Sequence, residues 1–154
     1  MKKINITKLI IGLSIFLICI LTLININKVN VGTIKNGKIK YNEKVENVTV
    51  YKDKILIEFN NNHDLIDNCI ISTELYNKFK KNSEDIYNLK LKDYVSLSTL
   101  SAKESYNIHK AIDLKLVTED TKYTDYFAVT CGFKNKKELL RYTKGVMDLV
   151  NKNK

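Results

Sequence analysis

From Leu9 to Asn27 the chain runs for nineteen residues without a charged side chain, between Lys8 and Lys28. Wound as a helix, such a run reaches roughly 28 Å, close to the roughly 30 Å of a bilayer's hydrocarbon core. It predicts a retained transmembrane helix over 9–27, a short tail over 1–8 and a single globular domain over 28–154. A cleaved signal peptide would need small residues one and three positions before the cut. Leu21, Thr22, Leu23, Ile24, Asn25 and Ile26 offer no such site. Lys2, Lys3 and Lys8 precede the run, and Lys28 follows it. That bias predicts a single-pass protein of the cell membrane with its tail cytoplasmic and its domain extracytoplasmic.

The net charge of +9 matters for partners. Without Lys2, Lys3, Lys8 and Lys28, 22 basic residues face 17 acidic ones, leaving +5 on the rest. A field of that size attracts anionic surfaces unspecifically and is screened by salt. Nucleic-acid binding calls for clustered cations with aromatic stacking platforms, whereas these lysines are interleaved with Asp and Glu. The expected partners are the membrane and a protein component of the cell envelope, with no specific nucleic acid.

Asn36-Gly37 lies between Thr33-Ile34-Lys35 and Lys38-Ile39-Lys40-Tyr41. Both central positions of a two-residue hairpin turn need a positive φ, which makes this a strong hairpin signal. Val45 to Tyr51 and Ile55 to Phe59 predict a second antiparallel pair, and Leu65 to Ser72 a further strand after the turn residues Asn60 to Asp64. Thr73 caps a short helix through Leu75, Tyr76 and Phe79. From Leu89 to Thr99 a strand is expected. Over Tyr106 to Leu116 two rules conflict: Ser101 and Glu104 form a capping box, but Tyr106, Ile108, Ile112, Leu114 and Leu116 alternate with period two. The alternation is preferred here, and Tyr123 to Phe133 is read as a strand for the same reason. Asn135 then caps a C-terminal helix with Leu139, Val146 and Val150 on one stripe. The sum is an α+β fold, mainly β: about seven short strands in a small antiparallel sheet or barrel, a short internal helix and a C-terminal helix.

Chemistry is sparse. There is no phosphate loop, nucleophile elbow or close Cys/His cluster, so neither a cofactor nor a metal is expected. Cys69 and Cys131 fall in apolar segments, as buried thiols or as a disulfide closing a loop of about sixty residues, worth roughly 4 kcal/mol.

A nucleophilic alternative uses Cys131 after Thr130, with Arg141 ten residues later and His63 upstream. Thiolate attack on a carbonyl needs an imidazole partner and a cation for the developing oxyanion. The arrangement resembles the sortases, membrane-anchored cysteine transpeptidases with a β-barrel fold. The resemblance implies His63, Cys131 and Arg141 as catalytic residues. Against it, the strand motif retains only Thr-Cys, Asn62 stands where that family has glycine, and Arg141 falls in a helical pattern. The preferred reading is therefore a membrane-anchored, non-catalytic binding or accessory module. A divergent sortase-like transpeptidase is the alternative.

Overall fold

A computed structural model describes residues 6–26, 29–60, 65, 69–81 and 86–154, and it divides into two units, Met1–Asn30 and Val31–Lys154. The first holds helix α1, Ile6–Ile26. Among the described residues no helix is long and apolar enough to cross a membrane. The transmembrane helix expected over 9–27 is corrected on this finding. The single-pass topology and the cell-membrane location derived from it fall with it.

The second unit begins with the Asn-Gly hairpin. Asn36 (φ 51°) and Gly37 (φ 71°) both take the left-handed conformation that the turn demands. They set β1 (Gly32–Lys35) antiparallel to β2 (Lys38–Tyr41), with Ile34 opposite Ile39 and Lys35 opposite Lys38. Among the described residues no other strand joins this pair. A separate three-stranded sheet follows, ordered β3 (Val45–Val50), β4 (Ile55–Phe59) and β5 (Cys69–Ser72), antiparallel throughout. Alternation chooses its inner face: Ile55, Ile57 and Phe59 of β4 and Cys69 and Ile71 of β5 are buried.

Helices dominate the remainder. Ser72 accepts from the Leu75 N–H at the start of α2 (Thr73–Lys80), one residue before the expected cap. A 3₁₀ turn over Ile86–Asn88 leads to α3 (Leu91–Tyr94), then α4 (Ala102–Asp113), α5 (Tyr123–Thr130) and α6 (Lys136–Lys152). About half of the chain is helical and about a fifth is strand. This corrects the mainly-β fold with a small barrel: 89–99, 106–116 and 123–133 were expected as strands and are not.

The physical reasons differ. In α4 the Ser101 hydroxyl accepts from the Glu104 N–H at 3.1 Å, so the cap forms and the helix propagates from it. Its buried residues, Ile108 and Ala111, follow the helical repeat. In α5 the buried residues Thr124, Tyr126, Phe127, Ala128 and Thr130 cover more than one face. A helix covered on several sides shows no amphipathic stripe, and its apolar residues can mimic alternation.

Two layers of core result. Phe59 of β4 meets Phe133 and Tyr142 edge-on at 5.0 and 5.9 Å, and Phe79 of α2 meets Phe127 of α5 at 5.3 Å. This layer packs the inner sheet face against α2, α5 and α6. The other is built from Leu65, Leu91, Tyr94, Ile108, Ala111, Val117 and Tyr126, between α3, α4 and α5.

The helical half also contains a correspondence that apolar periodicity does not reveal. Lys90 and Lys122 are the N-caps of α3 and α5, each followed three and four residues on by Asp-Tyr, and they face one another in an antiparallel bridge. Leu91 N–H donates to Thr121 and Tyr123 N–H to Leu89, so the two helix starts hold each other in place.

Candidate functional site

Cys131 caps the C-terminus of α5, its N–H donating to the Phe127 carbonyl at 3.1 Å. Gly132 (φ 75°) then takes the left-handed position that lets the chain turn back, and Phe133 N–H returns to Ala128. This turn delivers the Cys131 sulfur to β5, where it is bonded to that of Cys69 with the Cα atoms 5.5 Å apart. Cys69 is 0% exposed and Cys131 2%. A sulfur held in a buried disulfide is neither a thiolate nor reachable by a substrate.

Arg141 lies on the exposed side of α6, and His63 lies outside the described residues. The structure thus joins Cys131 to Cys69 and leaves Arg141 facing solvent. Other polar groups of the helical half pair with one another or face solvent. Lys92 and Lys90 contact Asp120 at 2.9 and 3.0 Å and hold its carboxyl down at about 2, on an exposed surface. His109 is exposed, with Nδ1 2.7 Å from the Ser105 carbonyl. Among the described residues no group of three His, Cys, Asp or Glu side chains could hold a metal.

Tyrosine is used inside the fold. Tyr94 and Tyr123 donate to Glu104 Oε1 at 3.1 and 3.0 Å, while the Tyr123 ring lies 5.8 Å from Tyr87 and 5.7 Å from Tyr126. Burial pushes the Tyr94 hydroxyl up to about 12, with the Glu104 charge adding to it; Tyr123 and Tyr126 are raised further by the same two causes. Tyr94 and Tyr123 stay neutral hydrogen-bond donors at any physiological pH. They knit α3, α4 and α5 together.

The surface that remains is the β1–β2 hairpin. Its register puts Thr33, Lys35, Lys38 and Lys40 on one face and Ile34, Ile39 and Tyr41 on the other. Lys35, Lys38 and Lys40 are all exposed. The first acidic residue of the whole chain is Glu43, so these lysines carry +3 of the +5 beyond residue 28. Like charges directly opposite across a ladder, as Lys35 and Lys38 are, destabilise the pair. This clustering was available in the sequence: the Asn-Gly turn fixes the register, and the register fixes which lysines share a face.

No family model, no curated protein and no solved structure matches the chain.

Proposed function

We propose that this chain acts by binding, as the recognition or accessory component of a complex with a protein partner, and that Cys69 and Cys131 serve its architecture. One observation carries the reading: the sulfur that a transpeptidase would need as nucleophile is bonded to Cys69 and buried. The exposed position of Arg141 agrees with it, since an oxyanion stabiliser works where water is excluded. So does the basic hairpin face, whose lysines form no ion pair among the described residues.

The test is complementation of a deletion of the gene, at a temperature well below the melting point of each variant. Arg141→Ala, and Cys69→Ala combined with Cys131→Ala, are expected to restore function once they are shown to be folded. A folded double-cysteine variant that fails to complement, together with an Arg141→Ala variant that also fails, would overturn the binding reading in favour of thiol chemistry.

A further inference from the structure

We infer that the β2 edge of the hairpin receives an extended segment of a protein partner in which acidic residues alternate with apolar or neutral ones. The inference rests on the binding reading above and names the partner's chemistry.

The backbone supplies the first part. In a two-residue hairpin the pair flanking the turn exchanges both its hydrogen bonds, and the next pair exchanges none. Lys35 and Lys38 flank the turn, so the N–H and C=O of Ile39 point outward from β2. No described residue bonds to them, and the hairpin strand that α6 chiefly meets is β1. An open edge of this kind is a template for strand addition, which requires a donor and an acceptor from the incoming chain. A peptide backbone offers both; a phosphodiester or other polyanion offers acceptors alone.

The side chains supply the second. Along a strand, alternate residues stand about 6.7 Å apart on one face, the separation of Lys38 from Lys40 and equally of alternate residues in an added strand. Acidic residues at alternate positions would sit beside Lys38 and Lys40, while the residues between them lie beside Ile39. A second copy of the hairpin would bring lysine against lysine, so the same charges that attract an acidic strand exclude self-pairing. The lysine face has no aromatic residue on which a base could stack, which disfavours single-stranded nucleic acid.

The probe is a short synthetic peptide of alternating Glu and Val, compared with an isomer of the same composition in two blocks, titrated against the full disulfide-intact chain. The alternating peptide is expected to bind about tenfold more tightly, and Lys38→Gln with Lys40→Gln to bring the two within about twofold. Both lysines are exposed, so the variant's circular dichroism should be unchanged. Equal affinity for the two isomers, or polyphosphate displacing the alternating peptide as well as the unlabelled peptide does, would reduce the face to an unspecific polyanion surface and overturn the inference. Concentration-dependent self-association that the peptide does not reverse would overturn it in favour of a second copy. Any of these results leaves the complementation test standing, so failure here and failure of the binding reading are told apart.

Discussion

The rings of Tyr94 and Tyr123 stack with centroids 4.1 Å apart, and both hydroxyls donate to the same oxygen of Glu104. One carboxylate therefore ties the end of α3 and the start of α5 to the first turn of α4. Glu104→Ala leaves two largely buried phenols without their acceptor and should destabilise the fold by about 2 kcal/mol, within the range for hydrogen bonds to a charged group. Glu104→Gln keeps an acceptor of the same shape and should cost less than half as much. Urea denaturation reads both, and an unchanged slope would show that the unfolded state is the same in each variant.

The same tyrosines set an alkaline limit. Tyr94 is held up at about 12, and Tyr123 and Tyr126 are raised above it, whereas an unfolded tyrosine ionises near 10. The folded state thus keeps protons that the unfolded state loses. Stability from these groups is complete below about pH 10 and falls as pH rises from there through the folded value. Tyrosinate absorbance should appear in two stages, exposed tyrosines first, then Tyr94, Tyr123 and Tyr126 together with loss of helical circular dichroism. Complete ionisation before any loss of helix would contradict the burial described here.

Gly32 (φ 155°) adopts a backbone conformation that side-chain-bearing residues avoid, and a Cβ built there would lie 2.9 Å from the Tyr41 Cα and against the Lys40 carbonyl. Gly32→Ala should displace β1 from β2 while the three-stranded sheet and the helices persist. The expected signature is loss of the preference for the alternating peptide with circular dichroism little changed. Retained preference would show that the hairpin's geometry is unnecessary for recognition.

Most of the first half of the globular unit was legible from local chemistry. Asn36-Gly37 dictates a turn and its register, and the alternation of Ile55, Ile57 and Phe59 marks a sheet with one buried face. α6 was legible too, because Asn135 accepts from the Glu138 N–H and a single face is buried. α4 was misread because Tyr106 and Leu114 completed an apparent alternation, yet they are 65% and 57% exposed and take no part in the core. The capping box at Ser101 was the better guide, since it reports a hydrogen bond rather than a pattern. At the candidate site, spacing alone left Cys131 open to both a thiolate and a disulfide; the turn at Gly132 that carries it to β5 depends on tertiary packing. The lysine face went unread, because the lysines were weighed over the whole chain, where Asp and Glu interleave them, and not over the hairpin, where no acidic residue precedes Glu43.

The disulfide joins residues 62 apart in sequence. In the chain-entropy model a loop of that length contributes about 4 kcal/mol, by restricting the unfolded chain. Reduction, or Cys69→Ala with Cys131→Ala, should lower the denaturation midpoint accordingly. A loss of less than about 1 kcal/mol would mean that the packing of Phe59, Phe133 and Tyr142 holds β5 to α5 without the bond.

A thiol count separates a disulfide-bonded Cys131 from a nucleophilic one. The chain has three cysteines, and Cys19 is in no disulfide. Protein purified without reductant, alkylated in denaturant and weighed by mass spectrometry should carry one label, at Cys19, and three after reduction. Three labels before reduction would show Cys131 as a thiol, remove the observation on which the binding reading rests and return the nucleophile to consideration.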